Sequence, residues 1–260
     1  MSCTCRLCVA MEYGRYEIAE AELRERIAQD SENGTLYGRL ASALFFQDKD
    51  QEALEAAELG VHFAPYSTFC IYWLAECLVV LDRLDEAATA TRDGLEQDPE
   101  DVDLWTLLSR IHLLRDEHED TILSADEALA IDAENEHALA LRLEALICFD
   151  SDSLMADEAL TELKRQAPNE SDTHRLDAML HWNREQREPA KQACLTALEI
   201  DPVDLDALRL LLDLELDAKT KLGIATQLED LGCMDFEIAF ERVHALRELG
   251  FDQDAVDTLH

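Results

Sequence analysis

Apolar residues along the chain recur at intervals of three and four, the spacing that places them on one face of a helix. Leu36, Leu40 and Leu44 lie four apart. A polar break follows at Gln47-Asp48-Lys49-Asp50, and Ala53, Leu54, Ala57 and Val61 then open a second helical stripe. The next stretch repeats the figure: Leu74, Leu78 and Leu81, then Leu84-Asp85-Glu86-Ala87, then Thr91, Gly94 and Leu95. Each block reads helix, short turn, helix. Gly (8) and Pro (5) are too scarce for the many turns of an all-β chain, which again points to long helices with short connections.

The blocks have a fixed length. Pro65 and Pro99 are 34 residues apart, and so are Pro168 and Pro202. Ala133 falls 34 after Pro99 and 35 before Pro168, and Ser31 falls 34 before Pro65. Most of these sites follow an apolar helix tail and an Asp, as in Gln97-Asp98-Pro99 and Ile200-Asp201-Pro202. Proline suits such a boundary because it cannot continue the helix before it and is tolerated in the first turn of the next. A period of this length, repeated this often, marks a repeat architecture in which each helical hairpin buries its apolar face against its neighbours.

The pattern resembles the tetratricopeptide repeat family, which favours small residues at positions 8 and 27, Ala at 20 and Pro at 32. Counting back from Pro65 places Leu40, Ala41, Leu44, Ala53 and Gly60 on the favoured positions. Counting back from Pro99 places Leu74, Ala75, Leu78, Ala87 and Gly94 there. Trp105, Leu108, Ser109 and Ala128 fit the next repeat; Gly14, Tyr16 and Ala19 fit the first; Ala178, Ala190 and Ala197 fit the one ending at Pro202. The resemblance implies an all-α, right-handed superhelical solenoid of about eight hairpins in one domain, 1–260. The repeats run approximately 1–33, 34–67, 68–101, 102–135, 136–170, 171–204, 205–235 and 236–260. Two repeats depart from the pattern. The fifth carries one extra residue near Asp150-Ser151-Asp152-Ser153. The seventh has Ile224, Leu228 and Leu231 where small residues are expected, which predicts a shorter or differently packed second helix.

In this family the first helix of each hairpin lines the concave face, so the resemblance also implies a site. Its partner-binding positions fall on Met11, Thr35, Gly38, Ser42, Phe45, Phe69, Tyr72, Glu76, Val79 and Arg110, then on Arg175, Met179, Trp182 and Arg209. The N-terminal part of that face is apolar and aromatic, and the C-terminal part is mostly charged. An apolar groove of this kind takes an extended peptide or the apolar face of a helix, and the Arg residues add donors for carboxylates. The opposite reading is that Phe45, Phe46, Val79 and Val80 are inter-repeat core, since aromatic stripes at helical spacing commonly are. The chaperone-associated members clamp a C-terminal carboxylate with Lys and Asn at positions 5, 6 and 9. Here no Asn occupies position 5 or 9, so such a clamp is not expected.

Composition narrows the function further. The chain carries 58 acidic residues against 22 Lys+Arg, a formal net charge of −36, with 48% hydrophobic residues. That field repels nucleic acid and anionic membrane surfaces, while the apolar content is enough for a core. No apolar run reaches the ~18 residues of a membrane span. No basic segment followed by an apolar stretch opens the sequence, so the expected location is cytoplasmic, with the 8 cysteines reduced. Only 5 of the basic residues are Lys. Scarce lysine beside abundant Asp and Glu resembles a salt-adapted surface, so the acidity reads mainly as a solvent adaptation.

Catalytic motifs are missing, and no enzyme activity or cofactor is expected. Cys3-x-Cys5-x-x-Cys8 offers thiolates, but a closed zinc site needs four ligands and no second pair follows. It is kept as a minority thiol or metal alternative. Asp116-Glu117-His118-Glu119-Asp120 sits on an interhelical turn and reads as solvated acid. The leading expectation is a non-catalytic scaffold for a protein or peptide partner; the alternative is a chaperone of this fold for a secretion or assembly client. Apolar residues at both ends, Leu7, Cys8, Val9 and Met11 against Val256 and Leu259, lead to the expectation of self-association through the terminal repeats or of a partner at one end.

Overall fold

The computed structural model describes residues 7, 10, 11, 13–233 and 235–257. The Cys3, Cys5 and Cys8 thiols and Leu259 lie outside them. Among the described residues there are helices and turns and no strands. Leu7, Ala10 and Met11 are helical and precede fifteen helices. These are α1 (Tyr16–Gln29), α2 (Gly34–Phe45), α3 (Asp50–Phe63), α4 (Thr68–Val80), α5 (Leu84–Gln97), α6 (Val102–Leu114), α7 (His118–Ile131) and α8 (Glu136–Asp150). They continue as α9 (Leu154–Gln166), α10 (Ser171–Asn183), α11 (Arg187–Ile200), α12 (Leu205–Leu214), α13 (Ala218–Asp230), α14 (Phe236–Glu248) and α15 (Asp252–Asp257).

The chain divides into two bodies, Met1–Arg142 and Leu143–His260, and the division falls within α8. In the N-terminal body α2 packs along α3, α4 along α5 and α6 along α7. The second helix of each hairpin meets the first helix of the next, and the first helices also touch, α2 on α4 and α4 on α6. Fully buried alanines make these approaches possible: Ala41, Ala53, Ala57, Ala75 and Ala87 have no exposed surface. Leu40, Leu44, Ile71, Leu78, Leu104 and Ile111 fill the space between, each worth about 1.5–3 kcal/mol when fully buried. In the C-terminal body α10 packs along α11, α12 on α13 and α14 on α15, around Ala190, Cys194, Leu208, Leu212 and Leu228.

The turns inside the hairpins share one chemistry. Asp48, Asp82 and Asp116 have φ of 56°, 57° and 57°, and Gly14, 34 residues before Asp48, has 65°. Each ends a helix in the left-handed region. The amide of the next residue reaches five residues back, as Lys49 N–H to Leu44 O at 3.1 Å and Arg83 N–H to Leu78 O at 2.9 Å. This is the Schellman arrangement that satisfies the last helical carbonyls. Glu185 and Gly250 repeat it in the C-terminal body. Side chains ahead of several first helices accept from the first free amides: Asp101 from Leu104, Asp204 from Ala207, and Asp235 from Ile238. Part of the negative charge is therefore helix capping, worth about 1 kcal/mol at each end.

Both irregular repeats have a physical account. The fifth repeat, with its one extra residue, has a longer first helix: α8 has 15 residues where α4 and α6 have 13. In the seventh the shortened element is the first helix, not the second: α12 has 10 residues and α13 has 13. α12 stops at Leu214 because Glu215 turns extended, with ψ 144°. The Arg187 guanidinium then takes the freed Leu214 carbonyl at 2.7 Å, and the Glu215 carboxylate accepts the Leu216 and Asp217 amides.

Candidate functional site

The first helices α2 and α4 of the N-terminal body, with the start of α1, present a run of aromatic rings. Tyr16 stacks on Phe46 with centroids 4.9 Å apart. Phe46 meets Phe45 and Trp73 edge-on at 5.6 and 5.7 Å. Trp73 continues to Tyr72 at 5.4 Å. Each such pair adds about 0.5–1.5 kcal/mol beyond its buried area, so the run is rigid. It is also two-sided. Phe45, Tyr72, Trp73 and Val79 pack against the core from its edge, whereas Phe46 is 50% and Phe69 41% exposed.

A cavity of about 350 Å³ opens beside the run, lined by Thr68, Phe69, Tyr72, Trp73, Asp101 and Asp103. Gly38 seats its wall: a Cβ there would stand 3.1 Å from a Phe69 ring carbon and from Cys70 Sγ. Tyr72 shares α4 with Glu76, whose carboxylate receives Arg110 from the next repeat. Burial, first, and the Glu76 charge, second, hold the Tyr72 phenol well above its ordinary range.

The residues expected from sequence thus separate. Phe69 and Tyr72 line the cavity, Thr35 is exposed, and Arg110 is half exposed on its ion pair. Met11 and Val79 are edge residues of the core. Gly38, Ser42 and Glu76 lie beneath the face: Ser42 is 2% exposed and gives its hydroxyl to the Arg39 carbonyl. In the C-terminal body Arg175 lies against Asp172 at 3.1 Å and Met179 Sδ at 3.4 Å. Arg209 pairs with Asp235 at 2.9 Å, and Trp182 is 39% exposed. Burial pushes the Glu144 carboxyl up although Arg175 opposes it. Phe236, 83% exposed, stacks on Phe240, an apolar spot on a face otherwise charged.

Trp73, Asp101 and Asp103 are cavity residues that helical spacing does not single out. Trp73 follows Tyr72 and points about 100° away from it on an isolated helix. Packing between repeats then brings Asp101 and Asp103 to these α4 side chains. The second position of each repeat could have flagged Asp103, since it is Phe69 one repeat earlier.

One group could in principle hold a metal. The donor atoms of His112, Glu117 and Asp120 lie within 4.8 Å of one another. His112 is buried, with Nδ1 at 2.5 Å from Glu117 and Nε2 at 3.4 Å from Arg92, and Arg115 also holds Glu117 at 3.0 Å. Two guanidinium groups beside the donors oppose a further cation, and the network satisfies itself. Burial pushes the Cys77 and Cys194 thiols up to about 12, so neither is a ready thiolate.

No family model matches the sequence, and no curated protein matches it. Solved structures do. A tetratricopeptide repeat protein from Parabacteroides merdae is similar with a TM-score of 0.75 at 14% identity, over 93% of this chain and 96% of that one. TTC0263, from Thermus thermophilus, gives 0.60 at 16% identity over 70% and 98%. YrrB, described as a TPR protein with an unusual peptide-binding site, gives 0.53 at 19% over 72% and 96%. Among the described residues no helix is long and apolar enough to cross a membrane. The 34-residue period, the paired helices and these neighbours together show that the chain has the fold of tetratricopeptide-repeat proteins.

Proposed function

We propose that the chain is a non-catalytic interaction scaffold that holds an extended peptide or helix of a partner protein against the aromatic first-helix face of its N-terminal body. The observation that carries this is the aromatic run from Tyr16 to Tyr72, flanked by exposed Phe46 and Phe69 and ending in a cavity. Exposed aromatic surface next to a preformed cleft is what peptide recognition uses. The peptide-binding site described for YrrB lends support by fold alone. A separate contact with acidic groups of a partner is proposed for the charged face of the C-terminal body, with Arg175, Met179, Trp182 and Arg209. The cytosol is the proposed setting, in keeping with unbridged Cys70, Cys77 and Cys194 in the packed interior.

Pull-down with mass spectrometry, followed by Phe46→Ala and Phe69→Ala, tests the proposal. The expected result is lost partner capture by both variants while the chain stays folded at the assay temperature, with a lowered thermal midpoint for Phe46→Ala because it gives up its ring contacts to Tyr16, Phe45 and Trp73. Capture that survives both substitutions places the interface elsewhere. Recovery of a single unfolded client would favour the chaperone alternative.

A further inference from the structure

We propose that the cavity between α4 and α6 is a receptor for one arginine side chain of the bound partner. This rests on the docking proposal above and gives it a chemical specificity. The walls are three aromatic rings, Phe69, Tyr72 and Trp73, two carboxylates, Asp101 and Asp103, and the neutral Thr68. Ring faces carry negative electrostatic potential and attract a cation within about 6 Å. Among the described residues no Lys, Arg or His pairs with Asp101 or Asp103. Asp101 spends one oxygen on the Leu104 amide as a helix cap and keeps the other. The nearby cation, Arg110, is already neutralised by Glu76.

The one opposing feature is the N-terminus of α6, worth roughly half a positive charge. Two carboxylates exceed it, so the cavity is net negative and rejects acidic or phosphorylated residues. Its volume, about 350 Å³, is at the low end of ligand pockets, roughly 300–1,000 Å³. That suits a single long side chain. A planar guanidinium can stack on a ring and fork to a carboxylate at once, which an ammonium cannot, so arginine is favoured over lysine.

Peptides selected by phage display on the full-length chain provide the probe. One selected sequence is synthesised with Arg, Lys and citrulline, the neutral isostere, at its basic position. Affinity is measured by fluorescence anisotropy at 0.15 M salt. The expected loss is about tenfold for citrulline and smaller for Lys. Asp103→Asn, and Asp101→Asn which keeps a capping oxygen, should weaken the Arg peptide several-fold and leave the citrulline peptide unchanged. Asp93→Asn, on the second helix α5, removes the same charge and should have no effect. Equal binding of Arg and citrulline peptides, an Asp93→Asn loss matching that of Asp103→Asn, or selected peptides without a basic residue would each overturn the arginine receptor. Phe46, outside the cavity, separates the two proposals. If Phe46→Ala weakens every peptide while citrulline costs nothing, only the arginine receptor fails. If no peptide binds, or Phe46→Ala and Phe69→Ala both leave binding intact, the docking face fails as well.

Discussion

Arg110 reaches back one full repeat, 34 residues, to place its guanidinium on the carboxylate of Glu76. Glu76 is 7% exposed, and its charge acts on the neighbouring Tyr72 phenol. Removing Arg110 strands a buried charge, whereas shortening it to Lys keeps a donor in reach. For a fully buried pair the loss is about 3–5 kcal/mol. The Arg110 side chain is 41% exposed, so solvent screening reduces the expected cost of Arg110→Met to about 1–2 kcal/mol. Arg110→Lys should recover at least half of it. Urea unfolding midpoints measure both, and equal midpoints for Met and Lys would show that the pair contributes packing only.

Tyr72 adds a pH signature. Its phenol is held above the ordinary 10.0 by burial and by Glu76. The unfolded chain ionises there first, so this contribution to stability is complete below pH 10 and is lost as pH rises toward the folded value. Absorbance at 295 nm should show one of the 5 tyrosines ionising last. Tyr72→Phe should remove that late step and flatten the alkaline loss of stability.

The left-handed turn residues are a reservoir of stability. Asp48, Asp82 and Asp116 adopt a conformation that costs an L-residue roughly 1 kcal/mol and glycine nothing comparable. Gly14 and Gly250 already use the cheaper residue at the same place. Asp82→Gly should raise stability by about 0.5–1 kcal/mol, and combined with Asp48→Gly the gains should add, since the turns share no contact partner. A drop in thermal midpoint for both would mean that the Asp side chains do more than tolerate the geometry.

The helices and their pairing were legible because a 34-residue period and apolar spacing are properties of the chain itself. So were Phe69 and Tyr72, which a fixed register puts on the first-helix face. What escaped depends on neighbours. Ser42 has the right position and the wrong burial, because Cα spacing does not say how closely the adjacent hairpin approaches. Trp73 and Asp103 come from successive repeats, and only their packing forms a cavity. The short seventh repeat was visible as a broken pattern, yet its cause lies in Arg187 and Glu215, polar residues from different repeats that stop α12 one turn early.

Gly34 and Gly223 should respond in opposite directions to alanine. A Cβ at Gly34 would stand 2.5 Å from the Gly60 carbonyl oxygen and 2.5 Å from Ala64 Cβ. Backbone cannot yield there without separating α2 from α3, and overpacking of this kind costs about 1–3 kcal/mol. Gly223 lies inside α13 with nothing within 4 Å. Gly223→Ala should therefore add about 0.8–1 kcal/mol through helix propensity. Chemical unfolding of the two variants is the measurement, and a loss at Gly223 would reveal an approach to that helix.

Glu215 is one of the carboxylates that make the C-terminal body sensitive to acid. Lys191 at 2.7 Å, and then the Asp217 and Leu216 amides, lower its carboxyl from 4.5 to about 2 against the opposing effect of burial. The unfolded chain takes up this proton first as pH falls. The contribution is complete above about 4.5 and disappears as pH drops toward about 2. Glu215→Gln should lower stability at neutral pH, because the Lys191 pair is lost, and should remove this part of the decline between those two values. Unfolding midpoints compared at pH 5 and pH 2.5 decide it. Parallel curves for wild type and Glu215→Gln would show that other carboxylates govern acid unfolding. A converging pair ties it to the residue that ends α12.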